Sequence, residues 1–453
     1  MTALDRDRLA ELLDAERQRF ADDHPNSRAL FERTGGSLMG GVPMPWMTRW
    51  ASPFPVFVES AKDAWLHDVD GHDYLDLSLG DTGALFGHSA GPIADAIAAQ
   101  ARRGITFMLP TADAAAVGEA LAARFGLPYW QFATTATDAN RFALKMTRAA
   151  TGRHKIVVFD GCYHGSLDET LVTVENGVVR ASAENMAPAI DPAETTRVVP
   201  FNDIDALRAA LAPGDVACVL CEPALTNSGL VFPREGFHDA MRAATREHGA
   251  LLVIDETHTI CAGPGGATRA FGLDPDIVTL GKPLAGGVPA ATYGFTAALA
   301  EAIGDWTAGL ASFVTGVTGT LSGNALGMAA MRAALERVMT EDAYARMTAQ
   351  AARLADGVAE IIADRGLPWG VGRLGARVEY RFYPGEPANA AEAADHPDDA
   401  RDTLFRLFFL NRGILLTIFY NVALIAPQVE PGDIDRHNKV FAEFADTWIG
   451  LQR

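Results

Sequence analysis

The chain has 453 residues, 49% of them hydrophobic, which is enough to bury the cores of two domains. It carries 57 acidic and 38 basic residues, a formal net charge of -19, and a surface this negative repels phosphate backbones and anionic lipids. We therefore expect neither nucleic acid nor a membrane as a partner. No apolar stretch approaches the roughly 20 residues that span a bilayer. Because four cysteines give no disulfide framework, a reducing cytoplasm is the expected location.

The N-terminal part of the chain predicts a helix followed by hairpin strands. The stretch LDRDRLAELLDAERQRF is an acidic amphipathic helix without the apolar core of a signal peptide. Farther on, FPVFVESAKDAWLHDVDGHDYLDL alternates apolar and polar residues around the turn signal Asp70-Gly71. We assign residues 1–80 to an N-terminal segment that forms part of a smaller domain.

Residues 81–335 predict a large domain with a mostly parallel sheet. Helix-length segments alternate there with short apolar runs: KIVVF, VACVL, ALLVI and DIVTL. This alternation is typical of an α/β sheet covered by helices on both faces. Cys218 and Cys221 form a C-x-x-C pair inside one such run, but positions three apart in a strand face opposite sides, which argues against a shared redox or metal role.

Residues 336–453 predict the rest of the smaller α+β domain. A long Ala-rich helix comes first, then the strands VEYRFYP and GILLTIF, then a closing helix. The composition of PGEPANAAEAADHPDDA, between the two strands, predicts a mobile, solvated loop.

Two charged residues follow successive strands of the predicted sheet, where ligands of such sheets bind. Asp255 ends LLVID and is either a helix N-cap or a buried carboxylate that needs a cationic partner, such as a protonated pyridine nitrogen. Lys282 follows DIVTLG and precedes an apolar, glycine-rich loop. Burial there would lower the pKa of a lysine and make its amine a nucleophile for a carbonyl group.

Three further segments offer ligand contacts, and two of them have an alternative interpretation. Thr135, Ala136 and Thr137 precede a helix and predict a phosphate site, or an ordinary threonine cap. Tyr163 and His164 lie in a glycine-flanked loop, where a flat ring would stack on a planar cofactor. Zinc held by cysteine and histidine pairs is the alternative, which irregular spacing disfavours. The last segment precedes another helix and offers a second anion contact through Gly319 and Thr320.

The ordered set TTATDAN, FDGCYHG, CEPALTNSG, VIDETHT, TLGKPLAGG and GTLSGNALGMAA resembles the class III aminotransferases. Within them it is similar to the branch of glutamate-1-semialdehyde aminomutase and the β-amino-acid aminotransferases. The resemblance runs from about Gly40 to the C-terminus. It implies the aspartate-aminotransferase-like fold, with a seven-stranded sheet between helices, and a homodimer with the active site at the subunit interface.

The resemblance also implies pyridoxal 5'-phosphate as the cofactor. Lys282 would form the Schiff base and then move protons, while Asp255 would pair with the pyridinium nitrogen and keep the ring an electron sink. Tyr163 would stack on the ring, and Thr320 would reach the phosphate from the partner subunit. The cofactor-binding residues would then be Thr135, Ala136, Thr137, Tyr163, His164, Glu222, Asn227, Asp255, Thr257, His258, Lys282, Gly319 and Thr320.

Several positions depart from the family pattern. Ala136 stands where the family has a glycine, and because alanine pays on the order of 1 kcal/mol for a positive φ, a local difference of the loop is expected. Met47 replaces the arginine that grips the substrate carboxylate in the aminomutase, and Asn421 replaces a glutamate. Trp46 and Met47 either pack in a core or line an apolar pocket, with Arg412 and Arg49 as candidate carboxylate ligands.

The leading hypothesis is an aminotransferase that moves an amino group from an amine, β-amino acid or ω-amino compound to a 2-oxo acid such as pyruvate. An aminomutase or racemase on the same scaffold is the alternative. A nucleotide- or metal-binding protein without this chemistry is a distant third, because neither G-x-G-x-x-G after the first sheet strand nor a P-loop lysine is present.

Overall fold

A computed structural model describes residues 4–307 and 316–452. The chain divides into two compact units. Unit 1 comprises Met1–Ala90, Ala345–Gly385 and His396–Arg453, and unit 2 comprises Gly91–Tyr344 and Glu386–Asp395. Among the described residues, no helix is both long enough and apolar enough to cross a bilayer.

The helices of the described residues are, in chain order, α1 (Arg6–Asp23), α2 (Pro25–Thr34), α3 (Gly91–Ala101), α4 (Asp113–Phe125), α5 (Ala136–Thr151), α6 (Pro192–Thr195), α7 (Ile204–Leu211), α8 (Phe237–Glu247), α9 (Gly266–Ala270), α10 (Ala297–Thr307), α11 (Ala325–Ala333), α12 (Glu341–Asp364), α13 (Ala390–Ala394), α14 (Asp399–Leu410) and α15 (Pro431–Ile449). Short 3-10 turns cover Met39–Gly41, Pro45–Thr48, Thr259–Ala262 and Lys282–Ala285, and a π-helical turn covers Ala334–Val338.

The strands of the described residues are β1 (Val58–Lys62), β2 (Trp65–Asp68), β3 (Asp73–Asp76), β4 (Tyr129–Ala133), β5 (Lys155–Phe159), β6 (Val172–Glu175), β7 (Val178–Ala181), β8 (Thr196–Val199), β9 (Val216–Cys221), β10 (Leu251–Asp255), β11 (Ile277–Leu280), β12 (Ala291–Phe295), β13 (Gly370–Leu374), β14 (Arg377–Arg381), β15 (Ile414–Leu415) and β16 (Val422–Leu424).

Unit 2 is built on a seven-stranded sheet, as far as the described residues show, in the order β4-β12-β11-β10-β9-β5-β8. Strands β8, β5, β9, β10 and β11 are parallel, whereas β12 runs antiparallel to both β11 and β4. Every residue of β9, β11 and β12 is buried, as a sheet covered on both faces requires. The predicted α/β fold is therefore confirmed.

Helix α5 shows how the sequence covers this sheet. Its predicted apolar face is buried, as Ala139, Phe142, Ala143 and Met146 show, and burial of each large apolar side chain contributes about 1.5–3 kcal/mol. The Thr135 hydroxyl caps the start, and Gly152 ends the helix in the left-handed conformation with φ of 68°.

Unit 1 carries two smaller sheets. Strands β1, β2 and β3 form an antiparallel sheet that β15 joins in parallel, and β13, β14 and β16 form an antiparallel sheet. The predicted hairpin is present, because β2 and β3 pair on either side of Gly71, which has φ of 92°. Aromatic side chains from β14, α14 and α15 pack together in the core: Tyr380, Phe405, Phe441 and Phe444.

Two predicted segments differ from the structure. GILLTIF was expected to be a strand, but only Ile414–Leu415 pair, since β3 offers a partner over just two residues. The prediction of a loop over residues 384–400 is wrong for Ala390–Ala394, which form α13. Asn389 caps this helix, and the preceding carbonyl, that of Ala388, accepts a hydrogen bond of 2.8 Å from Asn202.

Candidate active site

Four predicted residues lie at one edge of the sheet in unit 2. Tyr163, Glu222, Asp255 and Lys282 end or follow β5, β9, β10 and β11, and the carboxyl ends of parallel strands meet at one edge. The side chains of Tyr163 and Lys282 are partly buried, whereas those of Glu222 and Asp255 are fully buried.

Lys282 begins a 3-10 turn in a strained backbone conformation. Its φ is 49°, a left-handed value that costs a residue with a Cβ roughly 1–2 kcal/mol. Such strain persists where the surrounding structure enforces it, which is most often at functional sites. The Nζ atom lies 2.6 Å from Nε2 of His258, which is itself buried. The amine is therefore held at the sheet edge by a basic neighbour.

Asp255 is a buried anion. Burial alone would raise its pKa, but hydrogen bonds from His164, the Thr257 backbone N–H and Asn140 outweigh burial and lower the pKa to about 2. The distances from Oδ2 to His164 Nδ1 and Asn140 Nδ2 are 2.9 and 2.8 Å. A carboxylate that stays ionised at neutral pH attracts a cation such as a protonated ring nitrogen.

His164 supports Asp255 from the loop after β5. Although burial opposes its protonation, the neighbouring Cys162 and the carboxylate of Asp255 raise the pKa of His164 well above its usual range. The other ring nitrogen, Nε2, is buried and has no hydrogen-bond partner among the described residues. His164, predicted as a cofactor contact, therefore acts on Asp255 directly.

Asn140 and Thr279 belong to the site but were missed in the sequence. The Thr279 hydroxyl donates to Asn140 Oδ1 at 2.6 Å, while Asn140 Nδ2 donates to Asp255 and, at 3.0 Å, to the carbonyl of His164. Both residues are fully buried. The signal in the sequence was a polar residue inside an apolar pattern: Asn140 beside the apolar face of α5, and Thr279 inside IVTL.

The predicted phosphate site is the first turn of α5. Thr135 accepts a hydrogen bond from the backbone of Asp138, and Thr137 Oγ1 accepts one from Ser166 N at 3.2 Å. Free N–H groups at the start of this 16-residue helix suit an anion. Ala136 is the first helical residue and not in the left-handed region, so the expected cost of alanine there is absent.

Glycines bring this helix start close to the two flanking loops. A Cβ on Gly281 would lie 2.9 Å from the Ala136 Cβ, and a Cβ on Gly165 would lie 2.8 Å from the Thr137 Cα. The residue before Lys282 and the loop that carries His164 therefore both touch the start of α5. The predicted lysine and phosphate sites are thus adjacent.

Glu222 is held by its own loop. Its carboxylate accepts hydrogen bonds from the hydroxyl of Thr226 and, at 3.2 Å, from Nδ2 of Asn227. Burial raises the pKa of Glu222, an effect that the nearby His164 and these hydrogen bonds only partly oppose. The predicted residues Glu222 and Asn227 are therefore together at the end of β9.

Glu256 and Thr257, the two residues after Asp255, have different surroundings. The buried carboxylate of Glu256 accepts hydrogen bonds from Thr259 Oγ1 at 2.6 Å and from the backbone N–H groups of Ala267 and Thr268, so it holds the start of α9. The Thr257 hydroxyl is buried and has no hydrogen-bond partner among the described residues. Since buried polar atoms ordinarily have a hydrogen-bond partner, this hydroxyl is suited to a hydrogen bond with a polar group of a bound ligand.

The remaining predicted residues have the following positions. Gly319 and Thr320 are exposed and precede α11, which Asn324 caps. In unit 1, Trp46 packs edge-on against Phe419 with ring centroids 4.7 Å apart. Met47 and Arg49 lie exposed in or just after the turn Pro45–Thr48.

Arg412 has structural contacts within unit 1. Its guanidinium lies 3.1 Å from Glu16 Oε1, 3.8 Å from Glu443 Oε2 and 3.2 Å from the centroid of the Phe408 ring. A substrate carboxylate would have to compete with Glu16 for this cation. Substrate binding by Arg412 stays a prediction, as does substrate binding by Arg49.

An anionic carboxylate, a lysine and a helix start with hydroxyl groups meet at the edge of an α/β sheet. This donor set fits pyridoxal phosphate, because it offers a partner for the ring nitrogen, an amine for the aldehyde and N–H groups for the phosphate. The fold and the site thus define an enzyme that uses pyridoxal phosphate.

Comparisons with known proteins identify the family. Residues 46–378 match the family model of the class-III aminotransferases. The chain is 33% identical over 421 residues to glutamate-1-semialdehyde 2,1-aminomutase from Myxococcus xanthus (strain DK1622), covering 90% of this chain and 96% of the relative. The chain belongs to the class-III aminotransferase family.

Solved structures of related enzymes resemble this chain over almost its whole length. A glutamate-1-semialdehyde aminomutase from Pseudomonas aeruginosa PAO1 superposes with a TM-score of 0.95 at 45% identity, covering 99% of this chain and 100% of that one. A lysine-to-alanine variant of the Pseudomonas protein was solved in complex with PMP, with a TM-score of 0.94, the same identity and the same coverage. A β-phenylalanine aminotransferase from Variovorax paradoxus has a TM-score of 0.86 at 27% identity, covering 98% and 99%.

Proposed function

We propose that the protein is an aminomutase that moves an amino group between neighbouring carbons of a small amino aldehyde, with glutamate-1-semialdehyde as its substrate. The observation that carries this proposal is the 45% identity to the Pseudomonas aminomutase over 99% of the chain. The relative from Myxococcus has the same name and matches over 90% of the chain. This proposal replaces the transfer to a 2-oxo acid that the sequence favoured.

The cofactor, when bound, supplies an aldehyde that condenses with amines and a ring that accepts electron density from the amine carbon. Asp255 would stay ionised and would accept a hydrogen bond from the protonated ring nitrogen of the bound cofactor. Lys282 would provide the amine for the aldehyde and would hold or move a proton at Nζ. The first turn of α5 would bind the phosphate through its N–H groups. Because amino group and acceptor carbon belong to one molecule, this reaction consumes no 2-oxo acid.

A reaction without an added amino acceptor tests the proposal. Purified protein with cofactor is incubated with glutamate-1-semialdehyde alone, and 5-amino-4-oxopentanoate is measured by mass spectrometry. Accumulation of this isomer supports the aminomutase. If the isomer is absent, while an amine donor and pyruvate yield alanine, the enzyme is an aminotransferase.

An aminotransferase is the second candidate, and one observation favours it. Met47 and Asn421 stand where the aminomutase resemblance expects an arginine and a glutamate. Met47 is exposed on unit 1, and the side-chain oxygen of Asn421 is buried with no hydrogen-bond partner among the described residues. A substrate other than glutamate-1-semialdehyde, such as a β-amino acid, would need a different contact there. The likeness to the β-phenylalanine aminotransferase supports this candidate.

The proposal includes a homodimer in the cytoplasm with the active site at the interface. Unit 2 exposes large apolar side chains between α3 and α4 and before α11, namely Ile105, Phe107, Met108, Leu109 and Leu321. Exposed apolar groups of this kind mark interaction surfaces. Thr320, next to Leu321, would then reach the phosphate of the partner subunit. Light scattering of the purified holoenzyme measures the mass, and a monomer of 48.2 kDa would contradict the dimer.

A further inference from the structure

The amine of Lys282 lies beside a second nitrogen base, the imidazole of His258. Nζ of Lys282 and Nε2 of His258 are 2.6 Å apart, which is hydrogen-bond distance, so one of the two atoms carries the shared proton as the donor and the other is the acceptor. The pair has two arrangements of that proton: ammonium with neutral imidazole, or neutral amine with imidazolium. A lysine attacks a carbonyl only as the neutral amine.

The position of His258 is fixed by its backbone. It comes directly before the turn Thr259–Ala262, where the N–H of Cys261 donates to the carbonyl of His258 at 3.3 Å. The turn is anchored on Glu256, whose carbonyl accepts from Ile260 N at 2.9 Å and whose side chain accepts from Thr259. His258 as a whole residue is only 6% exposed. Its ring therefore stays beside Nζ, within the hydrogen-bond reach that general-base catalysis requires.

We propose that His258 is a catalytic residue that takes a proton from the Lys282 ammonium and later returns it. One N–H bond breaks at Nζ and one forms at Nε2, and no electrons are exchanged with any other group. The amine is left neutral and nucleophilic while the proton stays within hydrogen-bond reach. This inference rests on the proposed function only in that Lys282 is the residue that joins the cofactor.

The test measures how fast the full-length, cofactor-free protein captures pyridoxal phosphate. The covalent adduct is trapped with borohydride at neutral pH and counted by mass spectrometry. We expect His258→Gln to slow capture by about 100-fold, because glutamine keeps a hydrogen-bonding group but takes up no proton. His258→Ala is expected to slow capture by a similar factor, and added imidazole is expected to raise its capture rate about tenfold. A merely structural role of His258 does not give this rescue.

His238→Gln is the matched control, because His238 is another histidine of unit 2, partly buried, whose Nε2 also makes a hydrogen bond, in its case with the carbonyl of Pro223 at 2.8 Å. Its capture rate is expected to equal that of the unaltered protein. If His258→Gln captures the cofactor as fast as this control, the inference is overturned and the proposed function is untouched. If the unaltered protein captures no cofactor at Lys282, the proposed function fails instead. Should the alanine variant not fold, the glutamine variant decides alone.

Discussion

Nδ1 of His164 lies 2.9 Å from Oδ2 of Asp255, and both side chains are buried. The two residues come from different strand ends, 91 positions apart in the chain. The carboxylate opposes the effect of burial on the histidine and raises its pKa, while the histidine helps to lower the pKa of Asp255 to about 2. Each member of the pair therefore favours the charged form of the other.

This pairing predicts how stability depends on pH. A histidine whose pKa is raised by folding contributes stability fully below its unfolded pKa of about 6.5, and the contribution declines as pH rises from there toward the folded value. We expect His164→Asn to lower the free energy of unfolding by about 2 kcal/mol at pH 6 and by less at pH 8. Urea unfolding of both proteins at both pH values measures this. A difference that grows with pH would contradict the charged pair.

The anionic character of Asp255 leads to a second prediction. Asp255→Asn keeps the shape but removes the charge, so the protein should bind its cofactor and keep its colour while turnover falls by about 10²–10³-fold. Asp203→Asn is the control, since Asp203 caps α7 and asparagine caps equally well. Steady-state turnover and the visible spectrum are measured for both variants. Full turnover by Asp255→Asn would show that the carboxylate does not act on the ring.

The sequence was sufficient for the framework of the site because strand ends leave a clear pattern. Four apolar residues followed by Asp255, and a short apolar strand followed by Gly281 and Lys282, predicted both positions at one edge of a parallel sheet, and the sheet is as expected. The threonines before α5 were found in the same way, as polar groups at a helix start.

Other features depend on contacts between distant segments, which a single sequence does not contain. Asn140 is buried because it meets Asp255 and Thr279, 115 and 139 positions away. Similarly, the sequence offered Arg412 as a substrate ligand without showing that Glu16 of α1, 396 positions away, lies against it. Residues 390–394 were predicted as a loop because their surroundings are rich in proline and aspartate, although AAEAA after an asparagine cap favours a helix.

Hydrogen bonds connect Thr279 through Asn140 to Asp255. We therefore predict that removing the Thr279 hydroxyl leaves the Asp255 carboxylate less well oriented. Thr279→Val leaves Oδ1 of the buried Asn140 without its donor at a cost of about 1–3 kcal/mol in the free energy of unfolding. Because Asn140 also orients Asp255, we expect kcat to fall with little change in KM. Thr292→Val serves as control, since that buried hydroxyl donates to the carbonyl of Gln131 in the same sheet. Equal effects of the two substitutions on kcat would contradict a positioning role.

Loss of the amine itself gives the simplest prediction. Lys282→Ala is expected to abolish both the visible absorption of the covalently held cofactor and turnover, while the far-ultraviolet circular dichroism stays unchanged. Lys155→Ala is the control, as Lys155 is a partly buried lysine of β5 that donates to the carbonyl of Ala193 at 3.0 Å. Turnover by Lys282→Ala at the rate of the control would disprove the assignment.

A comparison of Gly165 with Gly177 distinguishes two reasons why a position in the chain requires glycine, namely its backbone conformation and the space around its Cα. Both have positive φ, 90° and 77°, so alanine costs each about 1 kcal/mol through its backbone conformation. Only Gly165 also meets the start of α5, because a Cβ there would lie 2.8 Å from the Cα of Thr137, whereas nothing lies within 4 Å of a Cβ on Gly177.

Gly165→Ala therefore forces Ser166 or the first turn of α5 to move, which disturbs both the phosphate site and the loop that carries His164. We expect it to cost about 1–3 kcal/mol more in the free energy of unfolding than Gly177→Ala. It is also expected to weaken binding of pyridoxal phosphate, whereas Gly177→Ala binds as the unaltered protein does. Urea unfolding and a cofactor titration measure both effects. Equal affinity in the two variants would mean that the contact between Gly165 and Thr137 does not shape the phosphate site.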